Sequence, residues 1–207
     1  NAFLIGTALD FRKPDEFNST ELEIIKSHFN VLTPENSMKP GPVHPQEDRW
    51  NWTQPDALVK FCGENNMSTM GHTLVWHSQT NPWFFQNATR EIALQRLRDH
   101  ILTVVRRYKG KIKGWDVVNE ALNEDGTMRQ SPWMKIIGAD YIVKAFQYAH
   151  EADPDALLFY NDYNTENPGK RKNIYKLVKQ LKDAHVPIHG VGLQGHWNLT
   201  EPGESEL

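Results

Sequence analysis

The feature that most constrains this chain is a repeated alternation of short apolar runs with longer amphipathic ones. Six segments of strand length recur: FLIGTALD from Phe3, FNVLTPEN from Phe29, TMGHTLVWH from Thr69, IKGWDVVNE from Ile112, ALLFYNDYN from Ala156 and IHGVGLQGH from Ile188. Each is apolar for most of its length and ends in polar or aromatic residues. The stretches between them read as helices. Asn18, followed three places on by Glu21, is a capping-box start. Pro55 falls where the first turn of a helix tolerates it. Ile92, Leu97, Ile101, Val104, Val105 and Tyr108 form one apolar stripe. ADYIVKAFQYAHEA and KRKNIYKLVKQLKDAH repeat the pattern.

Strands that are apolar on both faces, separated by helices, are the signature of parallel βαβ units. Two architectures use them. A doubly wound nucleotide-binding sheet carries a glycine-rich phosphate loop after its first strand, and TALDFRKPDEF has none. A TIM (β/α)8 barrel gathers its chemistry at the C-terminal strand ends, and all six segments end in polar side chains. The expected fold is therefore an α/β barrel with about six of its eight βα units in this chain. Residues 1–207 are expected to form a single catalytic domain, the N-terminal three quarters of that barrel.

Composition narrows the partners. With 207 residues, 39% of them hydrophobic, the chain can bury one sizeable core. A net charge of −3 gives no basic field for nucleic acid. No apolar run spans a bilayer, so no membrane partner is expected. Cys62 is the single cysteine, which excludes an intramolecular disulfide; in ALVKFCGEN it reads as a core residue. The seven tryptophans fall at or near loop ends, where rings serve as stacking platforms for sugars; the plainer reading is that most buried tryptophans are simply core. The chain opens on NAFLIG, so a targeting segment has been removed or the protein is cytoplasmic.

The strand ends supply Glu35, Asn36 and Lys39; His72, Trp76, His77 and Gln79; Asn119 and Glu120; Asn161, Asp162, Tyr163 and Asn164; Gln194 and His196. Amides, imidazoles, one lysine and aromatic faces around an acid suit many neutral hydroxyls and one proton transfer. A phosphate site would want glycine-rich turns and arginines. Plainer readings stand beside this one. A strand-end Glu also caps a following helix, and His72 and His77 also read as core histidines. His72, His77, His189 and His196 read as metal ligands in a barrel hydrolase. They lack the compact spacing of a zinc motif, so neither metal nor cofactor is expected.

ENSMK, GHTLVWHSQ, WDVVNE, FYNDYN and GVGLQGHW, in this order and at these strand ends, resemble glycoside hydrolase family 10, the retaining endo-β-1,4-xylanases. The resemblance covers nearly the whole chain. It implies hydrolysis of internal β-1,4-xylosidic bonds of xylan, with Glu120 as general acid/base. It implies that Asn119 holds the 2-hydroxyl of the sugar at the cleavage point, and that Lys39 and His72 bond that sugar above Trp76. Glu35, Asn36 and Gln79 then contact the next sugar on the non-reducing side, and Tyr163 and Asn164 the leaving-group side. Gln194 and His196 lie beside the nucleophile, with His196 as its hydrogen-bond partner. Pro40 departs from the family, many members of which carry Trp directly after the lysine.

The family's nucleophile is a Glu at the end of the seventh strand, in a Thr-Glu-Leu-Asp-like stretch that this chain does not reach. Glu201 comes too soon after GLQGHW for another βα unit, and Glu166 in NTENPGK lacks the family context. The chain is thus expected to be truncated before the seventh strand and inactive alone. Its expected partners are xylan or xylo-oligosaccharide and a second polypeptide carrying the last two strands. Two alternatives are a non-catalytic xylan-binding fragment and a barrel hydrolase acting on another β-glucan. A xylan-degrading enzyme is expected to be secreted or periplasmic, its signal segment lying outside this chain.

Overall fold

The computed structural model describes residues 3–13, 15–200 and 202–203. Six strands form one sheet in sequence order: β1 (Gly6–Leu9), β2 (Val31–Pro34), β3 (Ser68–Val75), β4 (Gly114–Asn119), β5 (Leu157–Asp162) and β6 (Gly190–Leu193). Every neighbouring pair is parallel. The helices are α1 (Ser19–His28), α2 (Pro40–Val43), α3 (Thr53–Glu64), α4 (Arg90–Arg107), α5 (Pro132–Ile137), α6 (Tyr141–Ala152) and α7 (Pro168–Asp183). A one-turn 3-10 helix covers Pro82–Phe84. Parallel strands in sequence order, with helix between each consecutive pair, make this a partial TIM barrel.

Local chemistry explains the element starts. The Asn18 side chain accepts from the Glu21 N–H while Glu21 reaches back to the Asn18 N–H, so the capping box forms. Thr89 and Ser131 cap α4 and α5 through their hydroxyls. The three short helices α2, Pro82–Phe84 and α5 carry no amphipathic period. Each begins on a proline, whose fixed φ starts a helical turn.

The main core lies between the sheet and α4, α5 and α6, with Val117, Val118, Leu158 and Tyr160 meeting Leu97, Ile101, Val105, Ala145 and Phe146. Ala93, Leu97, Ile101 and Val104 are all fully buried. Ile92, assigned by sequence to the same stripe, is 41% exposed. Ala93, not Ile92, is in phase with 97, 101 and 104 at 3.6 residues per turn. The tryptophans also divide. Trp115 and Trp133 are buried core residues rather than platforms. Trp115 lies so close to β3 that a Cβ at Gly71 would stand 2.1 Å from its ring, so the strand pair requires glycine there. Cys62 is buried as expected.

The first apolar run becomes strand only from Gly6, and Phe3, Leu4 and Ile5 are exposed. Among the described residues β1 and β6 each pair on one side only. Apolar side chains stand in solvent beside both: Phe3, Ile5 and Ile24 at one edge, Tyr175, Leu193 and Trp197 at the other. Closure removes such edges in a complete barrel.

Candidate active site

β4 delivers Glu120 to the middle of the C-terminal face. Its residues from Val117 to Asn119 are buried, which fixes the backbone that carries the acid. Glu120 itself has φ +57°, the left-handed region, and the chain turns there. Its N–H donates to the Asn161 carbonyl of β5 over 2.8 Å. The carboxyl is held from two sides. Trp76 Nε1 donates to Oε2 over 2.8 Å, and Gln194 Nε2 donates to Oε1 over 3.1 Å. His77 Nδ1 stands 4.0 Å from Oε2 and has no hydrogen-bond partner among the described residues. Burial holds the His77 imidazole below its ordinary pKa, helped by Arg129 and opposed by Glu120. None of these side-chain partners of Glu120 is a carboxylate.

Gln194, from the end of β6, joins three sequence-predicted residues. Its Nε2 also lies 3.2 Å from Asn119 Oδ1, and its Oε1 lies 2.9 Å from His196 Nε2. Asn119 Oδ1 accepts a further bond from Asn161 Nδ2 at 2.7 Å, so two buried amides and the half-buried Gln194 form a chain across β4, β5 and β6. Gly192 makes room for it: a Cβ there would meet Asn161 Oδ1 at 2.2 Å. His196 is exposed and, among the described residues, is linked to Glu120 through Gln194.

On the other flank, Lys39 is buried to 8% exposure, with Nζ 2.8 Å from Asn36 Oδ1 and 4.9 Å from the Trp76 ring centroid. Burial lowers its pKa, and Glu35, Asp10 and Glu120 oppose that shift. Gln79 Nε2 lies 3.5 Å from the same Asn36 oxygen, and Glu35 is exposed beside the group. His72 Nδ1 bonds Asp116 Oδ2 at 2.8 Å, which fixes the ring and leaves Nε2 free to face a ligand. Tyr163 takes a bond at its hydroxyl from Arg129 Nη2 at 3.2 Å, and Asn164 donates to Glu124 at 3.0 Å. The structure thus gathers the predicted residues into one face. Lys39, Trp76, Glu120, Asn119, Gln194 and His196 form one contiguous chain of contacts. His72, Tyr163 and Asn164 enter through their own partners, Asp116, Arg129 and Glu124.

Sequence reasoning missed five supporting groups. Asp10, at the end of β1, accepts the Asn36 and Ser37 N–H groups and so sets the loop that carries Lys39. Asp116 orients His72; a charged residue inside an apolar strand was the available signal. Lys170, with no exposed side-chain surface, pairs with the equally buried Asp162 at 2.9 Å and lies 3.6 Å from the Tyr163 ring centroid. Tyr160 donates to Asp162 and accepts the Ala121 N–H at 3.1 Å. Burial pushes the Asp162 carboxyl up, against the bonds from Tyr160 and Lys170. Arg129 comes from a loop whose sequence carries no signal. Of the two other carboxylates considered, Glu166 lies beside Asn164, His196 and Trp197, and Glu201 lies outside the described residues. Among the described residues no group of three or more His, Cys, Asp or Glu side chains is arranged to hold a metal ion, and no helix is long and apolar enough to cross a membrane.

The sequence profile of glycosyl hydrolase family 10 matches residues 1–207. Endo-1,4-beta-xylanase A of Caldicellulosiruptor sp. (strain Rt8B.4) is 52% identical over 221 residues, covering 100% of this chain and 32% of the relative. The crystal structure of a xylanase from Paenibacillus barcinonensis superposes with a TM-score of 0.93 at 47% identity, covering 99% of this chain and 62% of that one. Xylanase 10B of Thermotoga petrophila, solved with xylobiose, superposes with a TM-score of 0.86 at 46% identity, covering 92% of this chain and 59% of that one. The chain therefore spans between about a third and two thirds of the length of these relatives.

Proposed function

Because the chain belongs to glycosyl hydrolase family 10, we propose that it is the N-terminal part of the catalytic domain of an endo-1,4-β-xylanase. The observation that carries this reading is the setting of Glu120. A carboxyl on a rigid strand end is gripped by an indole and an amide, and amides, imidazoles and an ammonium surround it. Such a face offers directional bonds to neutral sugar hydroxyls and one proton to a leaving oxygen.

Glycoside cleavage needs that proton and a stabilised oxocarbenium-like centre. Glu120 is the general acid, and later the base that activates water. Asn119 is placed beside it for the hydroxyl next to the reacting carbon. His72, with Nδ1 committed to Asp116, has Nε2 for a sugar oxygen. Lys39, Asn36, Gln79 and Glu35 continue the line on one side, with Trp76 as its floor; Tyr163 and Asn164 lie on the other. In a retaining enzyme a second carboxyl, about 5–5.5 Å from the first, attacks the sugar. His196 and Gln194 are placed to orient it. We infer that this nucleophile comes from outside the described residues, on the strand that would pair with the open edge of β6. A polypeptide supplying the last two βα units would cover Leu193 and Trp197 at that edge and Phe3 and Ile5 at the other. A polymeric substrate argues for action outside the cytoplasm.

The side-chain partners of Glu120 favour one second reading, that the chain alone binds xylan without cutting it. Reducing-sugar release from β-1,4-xylan separates the two. The isolated chain is expected to release none above background, and the chain mixed with a polypeptide supplying the last two βα units is expected to release it. Substantial turnover by the isolated chain would contradict the missing nucleophile. Binding without release in the mixture would favour the second reading.

A further inference from the structure

The backbone of Glu120 has a φ of +57°. In that region the Cβ of an L-residue crowds the carbonyl, so the conformation is strained. Such a conformation persists where the surroundings over-determine it. On the N-terminal side the hold is the bond from the Glu120 N–H to the Asn161 carbonyl, at 2.8 Å. On the C-terminal side the Tyr160 hydroxyl accepts the Ala121 N–H at 3.1 Å, and the carbonyls are held by Arg129.

Arg129 binds three successive carbonyls. Its Nε donates to Glu120 O at 3.0 Å, its backbone N–H to Ala121 O at 2.8 Å, and its Nη2 to Leu122 O at 3.1 Å. The same Nη2 lies 3.2 Å from the Tyr163 hydroxyl. The chain returns to this place through a tight loop. Gly126 supplies a positive φ of +78°, and Leu122 and Met128 form an isolated antiparallel bridge. The planar guanidinium suits the task because its donors diverge in a fixed fork. A lysine ammonium in its place would reach one carbonyl at a time.

We infer that Arg129 is a positioning residue for Glu120: it fixes the carbonyl side of the left-handed turn that aims the carboxyl, and ties that turn to Tyr163 on the neighbouring strand end. The inference rests on the reading of Glu120 as the acid. A displacement of about 1 Å at such a group can cost roughly 10²-fold in rate. An arginine that only braced the 121–129 loop would change stability and leave the carboxyl where it is.

The indole N–H of Trp76 reports the carboxyl position directly, since it donates to Glu120 Oε2 over 2.8 Å. The experiment is a proton–nitrogen correlation spectrum of the tryptophan indoles in the 207-residue chain, with Trp76 assigned by Trp76→Phe. Glu120→Gln marks the resonance position when the carboxylate is gone. Arg129→Gln is expected to move the Trp76 indole more than halfway to that position, with Trp50, Trp52 and Trp115 unmoved; Arg129→Lys should move it less. If Arg129→Gln loses the dispersed indole signals through unfolding, Arg129→Lys decides alone: a selective Trp76 shift supports the inference. A folded variant whose Trp76 resonance coincides with wild type overturns it, as does a Glu120→Gln spectrum in which Trp76 does not move. The readout needs no turnover. Failure of Glu120 as the acid would show in the xylan assay, and failure of Arg129 as its positioner would show here.

Discussion

The Trp76 indole bonds the Glu120 carboxyl across the ends of β3 and β4, at 2.8 Å, while Lys39 Nζ lies 4.9 Å from the centroid of the same ring. One side chain thus orients the acid with its edge and offers its face to the region where a sugar would lie. Trp76→Phe separates these two functions, because Phe keeps a ring and loses the donor. In the protein assembled with the last two βα units, kcat on xylan is expected to fall on the order of tenfold with little change in KM. Hydrogen bonds to charged groups are worth about 1.5–3 kcal/mol. A raised KM with unchanged kcat would mean that the ring, not the N–H, is what matters.

The Lys170–Asp162 pair sits beneath Tyr163 with neither side chain exposed. Lys170→Met should destabilise the chain by about 3–5 kcal/mol, because it leaves a buried carboxylate without its counter-charge. Adding Asp162→Asn should recover much of that loss, since the amide carries no charge to compensate. Denaturant midpoints of the single and double variants test this. A double variant as unstable as the single one would mean that packing of the lysine stem, not charge, is the cause.

A second buried cluster lies behind the Lys39 loop. His44 and His100 face each other with Nδ1 atoms 3.1 Å apart, and His44 stacks on Trp50 at 3.5 Å. The Glu47 carbonyl lies 3.2 Å from His44 Nε2 and can only accept, so that nitrogen carries the proton and His100 Nδ1 donates to His44 Nδ1. Both rings are neutral. Burial lowers His44 to about 4, against the pull of Glu47 and Asp99, and lowers His100 to about 3. An unfolded histidine titrates near 6.5. Between pH of about 6.5 and 4 the unfolded chain therefore binds more protons than the folded one, and stability falls as pH falls. His100→Asn keeps a donor toward His44 and cannot titrate. Its stability should decline less steeply than wild type between pH of about 6.5 and 5, measured by denaturant midpoints. Parallel declines would contradict the assignment.

The sheet was legible because parallel strands covered on both faces leave near-continuous apolar runs; the partly exposed edge strands β1 and β6 keep such runs too, and all six were located within a few residues. α2, α5 and the Pro82–Phe84 turn escaped because one turn of helix carries no period. Trp115 was legible as part of a buried strand, but its partner was not: the ring packs on Gly71 of the neighbouring strand, a contact that exists only after folding. At the site, the residues at strand ends were found because βα topology places every such end on one face. Asp10, Arg129 and Lys170 were not, for a common reason. Each acts on another residue's backbone or ring rather than at the face itself, and that relation exists only after folding.

The central claim is that Glu120 supplies the proton for cleavage of the xylosidic bond, and the leaving-group dependence of Glu120→Gln tests it most directly. The measurement is the glycosylation step in the assembled protein, on xylan and on an aryl xylobioside with an acidic phenol as leaving group. Gln keeps the size and the bonding reach of Glu and has no acidic proton to give. Cleavage of xylan is expected to fall by about 10²–10⁴-fold, while glycosylation by the aryl substrate, which needs little protonation, falls far less. Equal losses on the two substrates, or none on xylan, would contradict the assignment of Glu120 as the acid.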